Sequence, residues 1–152
     1  MDPPRNRFAL FPGRFRMFES INVPIAWKPD FETETLFVEA SGLMTWEDRS
    51  AALAGFRESF ASGKIKYALF DLRRLTADND AKDEVEFGKM MVEAIGEFRD
   101  IRAAVILSDA FLVSSSVVLR LQQRGFNMLD FRDIAEAKAW LYGDALPTSH
   151  QL

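Results

Sequence analysis

Polar side chains that could bind or transform a ligand follow two apolar runs of this sequence, Tyr67–Phe70 and Ala103–Leu107. An arginine guanidinium together with hydroxyl groups and free helix N–H groups favours the binding of phosphates or carboxylates. The sequence therefore predicts a candidate ligand-binding site for a small anion, formed by Asp71, Arg73, Thr76, Ser108, Asp109 and Ser114.

Two other interpretations of these residues stay open. In an enzyme, Asp71 or Asp109 would act as a general base, but a single carboxylate beside an arginine is more often an ion pair. In the second interpretation, Asp71 and Arg73 pair with each other, and the serines belong only to a helix terminus.

The residue types on which much catalysis depends are scarce. The chain has no cysteine, and its one histidine is His150, in the terminal tail. A thiolate nucleophile, a cysteine-ligated metal and a positioned imidazole are therefore not predicted. The acidic stretch 76–84 lacks the glycine and glutamate spacing of a calcium loop. We expect no catalytic residues, no metal and no cofactor, and so a protein that is not an enzyme.

Composition and charge narrow the function classes further. The chain has 152 residues, of which 48% are hydrophobic and 28% charged, as in an ordinary globular domain. No apolar run reaches the ~20 residues of a membrane span, so an integral membrane protein is not predicted. The absence of cysteine is compatible with a cytoplasmic location. Residues 1–16 carry +3 of a net charge of −4, which leaves −7 on the remainder. An acidic body argues against nucleic-acid binding.

The first sixteen residues, 1–16, are unlike the rest of the chain. They hold four arginines and three prolines among Phe8, Phe11 and Phe15. This arm would bind an anionic membrane or a nucleic acid, pack on the domain or on a dimer partner, or have no role if Met17 is the natural start. We divide the chain into the arm 1–16, a domain 17–143 and a tail 144–152.

The strands that would position the polar residues are marked by apolar runs. Tyr67–Leu75 begins with a continuous apolar run, which is typical of a strand buried on both faces at the centre of a parallel sheet. Val23, Ile25 and Trp27 alternate with polar residues or proline, and Pro24 places that strand at an edge. It pairs with Leu36–Ala40 as a hairpin. The full pattern is β-β-α-β-α-β-α-β-α, an α/β fold with a singly wound, mostly parallel five-stranded sheet.

The predicted helices carry start and stop signals. Thr45 and Asp48 form a capping-box pattern, and an Asp133-x-x-Glu136 pattern opens the last helix. The helix at about 79–98 has two adjacent apolar stripes, which exceeds the need of one sheet face. We expect either deep burial of this helix or contact with a second subunit, and a homodimer is predicted.

Four segments together resemble a known family. L-F-V-E-A-S-G-L-M-T-W-E-D at 36–48, A-L-F-D-L-R-R-L at 68–75, R-A-A-V-I-L-S at 102–108 and F-R-D-I-A-E-A-K-A-W-L at 131–141 resemble the SpoIIAA-like group of bacterial STAS domains, also described as STAS/SEC14-like. The resemblance covers roughly residues 20–142. It implies a sheet of β-α units with helices largely on one side, and it matches Asp71 and Arg73 to the D-L-R of that group.

The resemblance also suggests two functions and weakens a third. STAS antagonists carry D-S-S-G after the central strand, with a serine that is phosphorylated; this chain has A-D-N-D-A-K-D there, so a phosphoserine switch is in doubt. The first expectation is a non-enzymatic, regulatory module in signalling that acts through protein contacts. The alternative, from the SEC14 side, is a small-anion or lipid binding protein with its site at the carboxyl ends of the central strands.

Overall fold

The computed structural model of the protein describes residues 24–42, 45–75, 81–108 and 114–143. Within these ranges the order of elements is the one that the sequence predicts. The elements are β1 (Ile25–Asp30), β2 (Thr35–Gly42), α1 (Trp46–Ala61), β3 (Tyr67–Leu75), α2 (Ala81–Ile95), β4 (Arg102–Ile106), α3 (Ser114–Gln123), β5 (Asn127–Phe131) and α4 (Ile134–Tyr142). The predicted arm and tail lie outside the described residues.

The five strands form one sheet in the order β1-β2-β3-β4-β5. β1 runs antiparallel to β2, and the remaining neighbours are parallel. The predicted hairpin, the edge position of the first strand and the central position of β3 are therefore confirmed. No helix in the described part of the chain is long and apolar enough to cross a membrane.

Three helices cover one face of the sheet and one helix covers the other. Apolar side chains of α1, α2 and α3 pack on Val38, Phe70 and Val105 in the larger core. On the opposite face, Ala137 and Leu141 of α4 pack in a smaller core with side chains of β3, β4 and β5. Successive side chains of a strand point to opposite faces, so the continuous apolar run of β3 supplies both cores.

The two apolar stripes of α2 are partly buried within the domain. This helix packs mainly against α1 on one side and α3 on the other, so it needs more than one apolar face. Met91 and Ile95 are buried. The Phe87 ring packs on Trp46 of α1, and the Phe98 ring, just beyond the end of α2, packs on Phe60 of α1. Packing inside one chain therefore accounts for part of both stripes, and contact of this helix with a second subunit stays a prediction.

Both ends of α4 are fixed by polar contacts. The Glu136 backbone N–H donates to Asp133 Oδ2 at 2.9 Å, which confirms the predicted N-terminal cap. At the other end, Arg102 Nη1 of β4 donates to the Trp140 carbonyl at 2.8 Å, and its guanidinium lies 5.1 Å from the Trp140 ring centre. A cation at the last carbonyls of a helix also complements the helix dipole. These contacts hold α4 firmly over the sheet.

A close contact between α1 and β1 makes Gly55→Ala destabilising. A Cβ at Gly55 would overlap the indole ring of Trp27, which also packs edge-on against Phe56. Inside a helix, alanine stabilises the folded state by roughly 1 kcal/mol relative to glycine, whereas overpacking destabilises it by about 1–3 kcal/mol. We expect a net loss of up to ~2 kcal/mol in a urea titration. In a Trp27→Leu background the same substitution should become stabilising, and stabilisation in the wild type would contradict the contact.

Candidate functional site

Two carboxylates are buried side by side where β2 and β3 approach their carboxyl ends. Glu39 of β2 and Asp71 of β3 are register neighbours, and the side chain of each is 5% exposed. Both lie on the sheet face that α4 covers, because Phe37 and Leu69, two residues before them, pack there. Buried carboxylates are costly unless they are paired, so their partners determine what this cluster can do.

Each carboxylate is paired with an arginine of β3. Arg73 binds Asp71 in a bidentate manner, with Nε–Oδ1 at 2.9 Å and Nη2–Oδ2 at 2.8 Å. The Arg73 backbone N–H also donates to Asp71 Oδ1 at 3.2 Å. Arg74 Nη1 donates to Glu39 Oε2 at 3.0 Å. The guanidinium groups reach the surface, with side-chain exposures of 37% for Arg73 and 40% for Arg74.

A register shift between β2 and β3 allows both arginines to reach the same face. Glu39 is opposite Asp71, but Ser41 is opposite Arg74, so β3 contains one extra residue at this point. In a regular strand, two consecutive side chains would point to opposite faces. A bulge breaks that alternation and redirects a side chain. It therefore creates the paired arrangement of two arginines over two carboxylates.

The electrostatics of the cluster favour ion pairing within the protein. The hydrogen bond to Asp71 raises the pKa of Arg73, and the charges of Asp71, Glu39 and Asp133 act in the same direction against partial burial, which lowers it. Two arginines meet two buried carboxylates, so these four residues have no surplus positive charge with which to attract an anion. The geometry matches the ion-pair interpretation of Asp71 and Arg73, and anion binding at this cluster stays a prediction.

The structure brings only part of the predicted site together. Asp71 and Arg73 are in contact, and Ser108 lies two residues beyond Ile106, the β4 neighbour of Asp71. Thr76 and Asp109 lie outside the described residues, and for Ser114 only the backbone, the first residue of α3, is described. The described residues contain no group of three or more His, Asp or Glu side chains that could hold a metal.

A second feature lies on the opposite face, between the sheet and α1, α2 and α3. It is an apolar cavity of about 70 Å³. The described residues of its wall are twelve apolar side chains and one charged side chain: Ile25, Val38, Phe56, Phe70, Leu72, Leu75, Phe87, Met91, Val105, Val117, Val118, Met128 and Arg49.

The cavity lies toward the carboxyl edge of the sheet. Leu72 and Leu75 come from the carboxyl end of β3, and Arg49 and Val117 come from the first turns of α1 and α3. Ligands of open α/β sheets bind at this edge. Since α2 packs mainly on its neighbouring helices, its large side chains Phe87 and Met91 do not close the space above the strands completely.

Arg49 is the one charged group among the described residues of the cavity wall. It is 3% exposed, and its guanidinium carbon lies 5.3 Å from the Trp46 ring centre and 4.9 Å from that of Phe87. Such stacking stabilises a buried cation. Arg49 is not among the site residues predicted from the sequence, although it precedes Leu53 by four positions and Phe56 by seven, and so continues their apolar stripe.

The comparison with solved structures agrees with the architecture. The chain is similar to the crystal structure of an uncharacterized protein of the DUF3478 family with a SpoIIAA-like fold from Shewanella loihica PV-4. The TM-score is 0.52 at 25% identity, over 77% of this chain and 93% of that chain. No family model and no curated protein match the sequence. The similarity confirms the SpoIIAA-like resemblance and the α/β fold class, and the neighbour supplies no function.

Proposed function

We propose that this domain is a non-enzymatic binding module that acts through protein contacts, and that its cavity receives an apolar side chain of the partner. The cavity at the carboxyl edge is the observation that carries the proposal. Its described wall is apolar except for Arg49. Apolar pockets that take a single buried anchor residue contribute much of the binding energy in protein complexes.

The cavity volume favours a side chain over a complete lipid. Pockets for small molecules usually measure about 300–1,000 Å³, whereas this cavity measures about 70 Å³. A dry apolar cavity of ~150 Å³ holds one benzene molecule. The flexible side chains of Met91 and Met128 line the space and can adapt its shape to an aliphatic or aromatic group. An acyl chain would need a much larger rearrangement.

The ion-paired cluster supports the non-enzymatic part of the proposal. Asp71, one of the two candidate general bases, accepts two hydrogen bonds from the Arg73 guanidinium and is buried. Both oxygens of this carboxylate are therefore already engaged by an arginine within the protein. A regulatory role in signalling, self-association as a homodimer and a cytoplasmic location stay predictions of the same proposal.

Binding of side-chain analogues tests the cavity directly. We expect N-acetyl-leucinamide and N-acetyl-phenylalaninamide to raise the thermal stability, and N-acetyl-serinamide to have no effect. At ten times its dissociation constant, a ligand that binds only the native state adds about 1.4 kcal/mol. The probes are measured on the full chain and on a full-length arm variant with Phe8, Leu10, Phe11 and Phe15 replaced by serine, so that these side chains cannot compete.

Two variants on α3 provide the matched comparison. Val117→Met places a flexible side chain in the cavity and should abolish the response to the apolar probes, whereas Leu119→Met on the exposed face should retain it. If neither full-length protein responds to an apolar analogue, the proposal is wrong. Binding of decanoate at least tenfold tighter than the analogues would instead favour the lipid-binding alternative.

A further inference from the structure

We propose that the occupant of the cavity is the N-terminal arm of the same chain, residues 1–16, which folds back and inserts one of its apolar side chains. This inference rests on the proposed function, because it uses the same cavity and names its partner. It makes the arm an intramolecular competitor of any other protein that would use the site.

The cavity lies close to the point at which the arm joins the described domain, and this supports the arm as its occupant. The described chain begins at Pro24, and the next residue, Ile25, is part of the cavity wall. The arm is therefore joined to the domain close to the cavity. Phe15 precedes Ile25 by ten residues, and ten residues of extended chain span up to ~33–36 Å. The connection is long enough for the arm to turn back onto the helices.

The composition of the arm matches both the cavity and the surrounding domain. Its large apolar side chains other than Met1 are Phe8, Leu10, Phe11 and Phe15. A cavity that holds one benzene molecule measures ~150 Å³, and this one measures about 70 Å³. Leu10 is therefore the best fit among these side chains, and a phenyl ring would enter only after the flexible Met91 and Met128 move aside. The arm also carries +3 against −7 on the remainder of the chain. Opposite net charge favours contact of the arm with its own domain.

Because the arm is covalently joined to the domain, even a weak contact is sufficient for it to occupy the cavity. A segment joined by a short flexible linker has an effective concentration in the millimolar range. One apolar side chain that binds with a millimolar dissociation constant would then already occupy a substantial fraction of the molecules. An external ligand must displace the arm, and its affinity falls in proportion to the fraction of open sites.

Competition and NMR test the proposal with the arm variant described above. We expect N-acetyl-leucinamide to bind the wild type about threefold or more weakly than the arm variant. The methyl signals of Ile25, Val117 and Met128 should differ between the two proteins, because a side chain inserted in the cavity changes the surroundings of nearby methyl groups. Phe31→Ser, which removes an exposed phenylalanine that does not line the cavity, should leave the affinity and these signals unchanged.

The possible outcomes separate this inference from the proposed function. Equal affinity of the analogue for the wild type and the arm variant would overturn the arm as occupant while leaving the cavity as a binding site. Absence of binding in both would overturn the proposed function itself. In a Val117→Met background the methyl differences should vanish. If light scattering shows a wild-type dimer that the arm variant loses, the arm acts on a second copy, and the intramolecular contact is wrong.

Discussion

Arg73→Ala is expected to lower the free energy of unfolding by about 2–3 kcal/mol. The substitution removes both guanidinium hydrogen bonds to Asp71, whose side chain is 5% exposed, and leaves only the backbone N–H at 3.2 Å. Breaking a fully buried ion pair costs about 3–5 kcal/mol, because the remaining charge is uncompensated. Arg73 is 37% exposed, so solvent screening places the expected loss toward or below the lower end of that range.

Urea titration measures the loss, and an exposed pair of the same kind provides the control. Arg57 and Glu97 form an ion pair at 3.3 Å with side-chain exposures of 46% and 61%. Arg57→Ala should therefore cost no more than ~1 kcal/mol. Asp71→Asn combined with Arg73→Ala should recover part of the loss, because the buried charge is then absent. Similar losses for the two single variants would mean that the burial of Asp71 is not maintained in solution.

The fold could be predicted from the sequence where one local pattern was decisive. The apolar run that begins at Tyr67 predicts a buried central strand at about 66–72, and the structure places β3 there and extends it to Leu75. The Thr45–Asp48 capping box forms with both of its hydrogen bonds. Apolar runs and capping boxes are each formed by a few neighbouring residues. They can therefore be recognised in the sequence alone, and the order of the strands and helices follows from them.

The paired carboxylates could not be predicted in the same way. Glu39 and Arg74 are 35 residues apart, and their contact depends on a register shift between two strands. A bulge in β3 changes which face Arg74 points to, and no residue of L-R-R-L marks it. The sequence identified Asp71 and Arg73 from their adjacency, and the second pair depends on the geometry of the neighbouring strand.

The cavity is likewise a property of packing. Each of its apolar wall residues satisfies an ordinary helix or strand pattern, and the space arises from how α2 rests on α1 and α3. The burial of Arg49 is indicated by its spacing, because Arg49 continues the apolar stripe of Leu53 and Phe56. Charged side chains usually lie at the surface, whereas stacking on Trp46 and Phe87 accommodates this one in the interior. Periodicity was the better guide to burial at this position than residue type.

Leu69→Ala is expected to cost about 3–5 kcal/mol, in the upper part of the range for buried leucines. Leu69 is fully buried in the central strand and packs in the core beneath α4. The cost of such a truncation depends on how far the surroundings can collapse into the space. Its β4 neighbour is the small residue Ala104, and α4 is fixed at Asp133 and through Arg102, so little can move inward. Leu129→Ala, at a leucine that is 39% exposed in β5, should cost less than ~1 kcal/mol. A similarly small loss for Leu69→Ala in a denaturant titration would show that α4 does not cover the central strand in solution.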